Sequence, residues 1–113
     1  MTKPAGLGLV FNEVPVDDDP LESKIEKDVA KHARKLGWLH YKWQAVNSHR
    51  SVPDRLFFRD GVLVIIEFKR KNKNLTKLQA EVAANLAAEG FLVHKIDNVK
   101  DGKLFFDNLE LTR

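Results

Sequence analysis

Two acidic residues and a lysine stand near the ends of apolar stretches in the middle of this sequence. Asp54 follows a proline, and Glu67-Phe68-Lys69 comes directly after the apolar run 62–66. A continuous, mostly β-branched run is typical of a strand buried on both faces. Side chains alternate along a strand, so we expect Glu67 and Lys69 on one face and Phe68 on the other. Because an unpaired charge in an apolar interior is costly, this pattern predicts a cation site with a lysine beside it.

The oxygen atoms at this position suit a hard divalent cation. Mg²⁺ and Mn²⁺ prefer carboxylate, carbonyl and water oxygens, so we expect Asp54, Glu67 and the backbone carbonyl of Phe68 to bind one of them. Such an ion lowers the pKa of a water molecule and neutralises the charge that builds on a phosphate oxygen. Lys69 would hold the attacking water or stabilise the charged phosphate. The residues thus predict metal-dependent hydrolysis of a phosphodiester bond.

Positive charge is concentrated around these acids. Residues 50–77 contain eight basic and three acidic residues, a net charge of +5, whereas the rest of the chain carries −2. This distribution favours a polyanionic partner such as DNA, and a solvated basic loop is the alternative. The residues that we expect to contact DNA are His49, Arg50, Arg55, Arg70, Lys71, Lys73 and Lys77.

Length and composition indicate one globular domain. The chain has 113 residues, of which 43% are hydrophobic and 31% charged, and it has no cysteine. Disulfides and thiolate metal sites are therefore excluded. No apolar run approaches the ~20 residues of a membrane span, and the N-terminus lacks the apolar region of a signal peptide. We expect a cytoplasmic protein with a loosely held arm over 1–19 and one domain over 20–113.

The first predicted helix begins at Pro20, and Gly37 closes it as the C′ residue. Asp19 would be its N-cap and Glu22 the capping-box partner, and Gly37 is typical of the residue that follows a helix. Glu26 lies at the border of the apolar stripe of this helix and has no structural role that we can name. We therefore predict that Glu26, rather than Glu22, acts in the site.

The second predicted helix begins after Thr76, which would be its N-cap, with Gln79 as the capping-box partner. Gln79 is also a candidate for the site, and the two roles are compatible. Apolar spacing predicts a buried helix face formed by Leu75, Leu78, Val82 and Leu86.

Four strands are predicted, over 38–45, 55–59, 62–69 and 91–96. Asp60-Gly61 is typical of a tight hairpin turn between the second and the third strand. Beyond the fourth strand we predict a loop over 97–103 and a short edge strand over 104–106. The sequence thus predicts an α/β fold with a mixed sheet flanked by two principal helices.

The segment Pro53-Asp54 followed by Glu67-Phe68-Lys69 resembles the motif of the PD-(D/E)xK nuclease superfamily. Further segments, in the same order along the chain, resemble the VRR-Nuc (virus-type replication and repair nuclease) family, over about residues 21–97. Ser51 stands where members usually have a glycine. The matching segments are Ile25-Glu26, Gly37, Tyr41-Lys42, Val52-Pro53-Asp54-Arg55, Ile66-Glu67-Phe68-Lys69, Leu75-Thr76 with Gln79, and Gly90-Phe91 with Val93.

The resemblance implies a restriction-endonuclease-like α-β-β-β-α-β core and Mg²⁺- or Mn²⁺-dependent cleavage of DNA, with no organic cofactor and no membrane. It also implies a homodimer of the stand-alone phage type that acts on branched DNA such as four-way (Holliday) junctions, in the host cytoplasm if a phage encodes it. Carried over, Asp54 and Glu67 become metal ligands, Lys69 the catalytic lysine, Glu26 the helical acid and Gln79 a residue of the site. Two alternatives remain open: a non-catalytic nucleic-acid-binding domain of the same fold, and a restriction-like endonuclease that recognises base sequence.

Overall fold

The computed structural model describes residues 20–44 and 51–111. In order, its elements are α1 (Pro20–Lys35), β1 (Leu39–Lys42), β2 (Arg55–Arg59), β3 (Val62–Phe68), α2 (Lys77–Ala88), β4 (Val93–Ile96) and α3 (Val99–Leu111). The strands form one sheet in the order β1-β2-β3-β4, antiparallel except for the parallel pair β3–β4. This mixed sheet flanked by helices confirms the predicted α/β fold and its α-β-β-β-α-β core, to which α3 is added.

The hydrophobic core lies between one face of the sheet and the pair α1 and α3. Val64, Ile66 and Phe68 alternate along β3 and belong to this core, together with residues of both helices. The ring of Phe106 on α3 packs 4.9 Å from Phe57 and 5.4 Å from Trp38, measured between ring centroids. Such aromatic packing fixes α1 and α3 on the same side of the sheet.

The hairpin between β2 and β3 sets the register of the sheet. Asp60 and Gly61 both have positive φ angles, 49° and 80°, as the favoured two-residue hairpin turn requires. The predicted turn is therefore confirmed. The register pairs Arg55 with Ile66, which places Asp54 opposite Glu67 at the far end of the same hairpin.

The C-terminal region differs from its prediction. The loop predicted over 97–103 and the edge strand predicted over 104–106 are both wrong, because Val99–Leu111 forms the helix α3. Asn98 caps this helix, and its Oδ1 accepts the backbone N–H of Asp101 over 2.8 Å. Gly102 is buried within α3, where a Cβ atom would collide with Val29 on α1. The glycine therefore allows the two helices to approach closely.

Several element boundaries are also corrected. The first, third and fourth strands are shorter than predicted: β1 ends at Lys42, β3 at Phe68, and β4 begins at Val93. No residue of α2 is buried, so its predicted buried face is wrong, and Leu78 is 62% exposed. The first helix begins at Pro20 as predicted, whereas its predicted N-cap, the arm over 1–19 and Ala45 lie outside the described residues.

The sheet face opposite α1 and α3 is partly open. Leu39, Phe58 and Leu63 lie side by side across β1, β2 and β3, and the neighbouring Tyr41 ring lies 6.4 Å from that of Phe58. Leu39 is 54% and Tyr41 60% exposed. Val62 and Leu63 are exposed as well, so the predicted burial of β3 on both faces applies only from Val64 onward. Among the helices of the described part, none is long and apolar enough to cross a membrane.

Candidate active site

Asp54 and Glu67 face each other at the end of the β2–β3 hairpin. The Asp54 backbone N–H donates to the Ile66 carbonyl over 3.1 Å, and the Asp54 Oδ2 accepts the Phe68 backbone N–H over 2.7 Å. Glu67 is only 4% exposed. The antiparallel register therefore brings together the two carboxylates that the sequence predicts as partners.

Lys69 follows β3 directly and is as buried as Glu67, with 4% of its surface exposed. Its backbone N–H donates to the Ile96 carbonyl over 3.0 Å, which continues the pairing with β4. The positive charge of Lys69 lowers the pKa of Glu67, against the larger effects that raise it. The structure therefore places a buried lysine where its charge acts on Glu67, as the spacing of Glu67 and Lys69 predicts.

Both carboxylates are less acidic than usual. Burial, followed by the charge of Asp54, raises the pKa of Glu67 to about 8. Burial also raises the pKa of Asp54 to about 6, despite the hydrogen bond from Phe68 that favours the charged form. Two carboxylates close together cannot both ionise readily unless a cation joins them. The pair therefore has the electrostatics of a cation site.

Gln79 connects α2 to Glu67. Its Nε2 donates to Oε2 of Glu67 over 3.0 Å, while its Oε1 accepts the backbone N–H of Thr76 over 2.9 Å. The Thr76 hydroxyl in turn accepts the Gln79 backbone N–H. The predicted capping box is therefore confirmed. Gln79 caps the helix and contacts an acid of the site with the same side chain.

Glu26 lies beside the acids but is engaged by cations. Its Oε2 accepts the Arg55 Nε–H over 2.9 Å and lies 3.5 Å from the Lys42 Nζ. The Nη1 of Arg55 and the Nδ1 of His40 are 2.9 Å apart. Burial, followed by the charge of Arg55, lowers the pKa of His40, so its neutral ring accepts a hydrogen bond from Arg55. Arg55 thus binds two side chains of its own chain.

Glu22 is a second helical acid near the site, which the sequence prediction placed only in a capping box. Its Oε2 accepts the Arg70 backbone N–H over 3.2 Å and lies 3.5 Å from the Lys73 Nζ. The charges of Glu22 and Glu26 raise the pKa of both Asp54 and Glu67. The spacing of Glu22 and Glu26, one helical turn apart, was the signal that they share a face.

The predicted DNA-binding residues divide into three groups. Arg70, Lys71, Lys73 and Lys77 are exposed and follow the site along the chain. Arg55 has only 16% of its side chain exposed and is paired with Glu26. His49 and Arg50 lie outside the described residues. Four exposed basic residues of the predicted set thus follow Lys69 within residues 70–77.

The donor chemistry of the site fits a hard divalent cation. Asp54 and Glu67 supply two carboxylates, and neither forms an ion pair with a cation of residues 20–44 or 51–111. Within these ranges, no group of three or more His, Cys, Asp or Glu side chains is arranged to hold a metal ion. Two carboxylates and a backbone carbonyl suit Mg²⁺ or Mn²⁺, since such ions keep several waters in their coordination sphere.

Comparisons with known proteins agree with this fold. No protein-family model matches the sequence, and no curated protein matches it. A solved structure described as a VRR_NUC domain superposes with a TM-score of 0.69 at 20% sequence identity, over 76% of this chain and 94% of that chain. The predicted resemblance is confirmed at the level of architecture: the chain has the fold of a VRR_NUC domain.

Proposed function

We propose that this protein is a Mg²⁺- or Mn²⁺-dependent endodeoxyribonuclease that hydrolyses phosphodiester bonds, preferentially in branched DNA such as four-way junctions. The observation that carries the proposal is the pairing of Asp54 with Glu67 beside the buried Lys69. Two carboxylates that repel each other and a lysine with little access to solvent are costly to the fold. A function would explain this cost: the two carboxylates would bind a cation, and the lysine would contact the phosphate.

Each residue of the site has a distinct role in this proposal. Asp54, Glu67 and the Phe68 carbonyl would hold the cation, which when bound lowers the pKa of water and neutralises charge on the phosphate. Lys69 would orient the attacking water or stabilise the additional charge on phosphorus-bound oxygens. Gln79 would keep the Glu67 carboxylate in place through its amide N–H.

The basic residues beyond β3 would hold the DNA backbone. Arg70, Lys71, Lys73 and Lys77 are exposed, and they lie on the segment that continues from Lys69. Phosphate contacts by lysine and arginine position the nucleic acid without selecting a base sequence. This distribution supports recognition of DNA shape, and so does the fold shared with a VRR_NUC domain.

The proposed enzyme is a homodimer, because one domain has one site and paired cuts across a junction need two. The open sheet face formed by Leu39, Tyr41, Phe58 and Leu63 is the surface that we assign to a second copy. These four side chains are each 37–60% exposed, and contiguous apolar patches of this kind mark interaction sites. An apolar sheet face can pair with the same face of a second copy about a two-fold axis.

Cleavage assays with labelled four-way, forked and linear DNA test the proposal. The protein is incubated with Mg²⁺, Mn²⁺ or EDTA, beside Asp54→Ala and Lys69→Ala. We expect cation-dependent cuts, most in four-way DNA, and a loss of at least about 100-fold in either variant. Cleavage that survives both substitutions would disprove the site. Binding of DNA without any cleavage would indicate a non-catalytic domain. Discrete fragments from linear duplex DNA would indicate an enzyme that recognises base sequence.

A further inference from the structure

Glu26 differs from Asp54 and Glu67 in the groups that surround it. Its carboxylate accepts a hydrogen bond from Arg55 Nε at 2.9 Å and lies 3.5 Å from Lys42 Nζ. Only 12% of the Glu26 side chain and 16% of the Arg55 side chain are exposed. The pair is therefore shielded from solvent and stronger than an ordinary surface ion pair.

The sheet fixes Arg55 in the position that this pair requires. Lys42 and Arg55 are register partners on β1 and β2, so both cations reach Glu26 from the same face. The Nη1 of Arg55 contacts His40, whose ring is itself packed 5.6 Å from Phe57. A guanidinium held at two of its nitrogens has little freedom to leave Glu26.

Asp54 and Glu67 have neutral partners instead. Asp54 accepts a backbone N–H from Phe68 and Glu67 accepts an amide N–H from Gln79. Neither is within ion-pair distance of a cation in the part of the chain that the structure describes. Glu26 is thus engaged in ion pairs with two cations, whereas Lys42 and Lys69 offset the charges of Asp54 and Glu67 only from a distance and in part.

We propose that Arg55 is a positioning residue that, with Lys42, neutralises Glu26, so that the site binds a single divalent cation at Asp54 and Glu67. This inference rests on the proposed function, since it concerns the cation of that site. Glu26 then serves as the fixed anion that anchors Arg55, and it is not a ligand of a second ion. The role expected for Glu26 from the resemblance is replaced by this one.

Mn²⁺ binding without DNA tests the proposal independently of activity. Free Mn²⁺ is measured by its electron paramagnetic resonance signal during a titration of the full chain. We expect one Mn²⁺ per chain for the wild type and for Glu26→Gln, with Kd changed by less than about threefold. The inference would be overturned if the wild type bound two Mn²⁺ per chain and Glu26→Gln only one. It would also be overturned if the wild type bound one Mn²⁺ and Glu26→Gln none.

A gain of binding tests the role of the two cations. In Lys42→Gln/Arg55→Gln the Glu26 carboxylate loses its partners, and we expect a second Mn²⁺ per chain. The second ion should disappear when Glu26→Gln is added, and Arg55→Lys should keep one ion. A stoichiometry that stays at one in the double variant would refute the role of Arg55. If the double variant does not fold by circular dichroism, the Glu26→Gln titration still decides.

Failure of the proposed function gives a different result. No Mn²⁺ binding by the wild type, or unchanged binding by Asp54→Ala, would remove the cation site itself. If the wild type binds two Mn²⁺ and one of them depends on Glu26, the cation site at Asp54 and Glu67 still stands. Only the inference about Arg55 is then wrong.

Discussion

The side-chain amide of Gln79 donates a hydrogen bond to Oε2 of Glu67 over 3.0 Å, while its carbonyl oxygen accepts the backbone N–H of Thr76. Both ends of one amide are therefore used, one for the start of α2 and one for the site. Because no residue of α2 is fully buried, this hydrogen bond connects a weakly packed helix to a buried acid. The contact explains why an amide suits this position better than a carboxylate.

Replacing Gln79 by glutamate should change the pH dependence of cleavage. Gln79→Glu keeps an acceptor for the Thr76 N–H but places a second negative charge against Glu67. The pKa of Glu67 should therefore rise. At a pH below that pKa, a rise of one unit lowers the ionised fraction of Glu67 about tenfold, and cleavage should slow by the same factor. We expect slower cleavage at pH 7 with partial recovery at higher pH. Thr76→Ser is the control, and an unchanged pH–rate profile in Gln79→Glu would contradict the prediction.

The stability of the metal-free protein should fall as the pH rises. The folded-state pKa of Glu67 and that of Asp54 lie above their usual values, at about 8 and 6. The folded state therefore holds more protons than the unfolded chain, and the stability present below the unfolded pKa is lost as pH rises through the folded pKa. Thermal melts from pH 5 to pH 9 in EDTA measure this decline.

Glu67→Gln should flatten the decline, because it removes the group with the higher pKa. At pH 8 we expect this variant to melt roughly 5 °C above the wild type, as a gain of about 1 kcal/mol implies for a domain of this size. Added Mn²⁺ should stabilise the wild type more at pH 8 than at pH 5, and should not stabilise Glu67→Gln in this way. Parallel melting curves for the two proteins would refute the assignment.

Gly102→Ala should destabilise the protein although alanine favours helices. The new Cβ would collide with Val29 and lie 3.1 Å from the Ile96 Cγ2. Overpacking of this kind costs about 2 kcal/mol, more than alanine gains over glycine in a helix. Chemical denaturation measures the loss. Asn108→Ala, at an exposed position on the same helix, should leave stability unchanged or slightly higher, and equal effects of the two changes would contradict the packing argument.

Tyr41→Glu should separate the proposed dimer. It places a charge on the open face, where Tyr41 is 60% exposed, so the monomer should fold normally. Light scattering after size exclusion should show dimer for the wild type and monomer for the variant. Leu104→Glu on α3, where the leucine is 46% exposed, is the matched control and should stay dimeric. A wild-type monomer, or a dimer that survives Tyr41→Glu, would exclude this interface.

Lysines beyond β3 should set the salt dependence of DNA binding. Each phosphate contact contributes about −0.9 to the slope of log K against log salt for duplex DNA. Lys71→Ala/Lys77→Ala should therefore reduce the slope by nearly two and weaken binding at low salt. Lys100→Ala/Lys103→Ala, which removes two exposed lysines of α3, is the charge-matched control. Equal slopes for the two variants would argue against contacts by Lys71 and Lys77.

The sequence predicted the local features of the site because they depend on short-range rules. Alternation along β3 separates Glu67 from Phe68, the turn Asp60-Gly61 fixes the hairpin, and Thr76 with Gln79 forms a capping box. Each of these follows from a few neighbouring residues. Long-range partners were beyond such rules, and the clearest example is Arg55, which was predicted to contact DNA but binds Glu26 across 29 positions of sequence.

The helix α3 was missed because its sequence contains conflicting signals. Gly102 and the residues 97–98 are typical of turns, and three apolar residues at 104–106 suggested a strand. Phe105, Phe106 and Leu109 nevertheless recur at helical spacing with Gly102. Asn98 and Asp101 stand where a helix start is expected, so the pattern was present. Gly102 fits a helix here because it packs against Val29 on α1, and a contact between residues so far apart in sequence cannot be predicted from neighbouring residues.

The hairpin of β2 and β3 has a consequence for insertions and deletions in this chain. The turn at Asp60-Gly61 is equally far from Asp54 and from Glu67 along the sequence, so its length alone decides that these two residues meet. One added residue would shift the partner strand by a single position and turn one acid away from the other. Loops elsewhere can vary in length without such an effect. The length of this turn therefore sets both the pairing of the two acids and the face on which Val64, Ile66 and Phe68 enter the core.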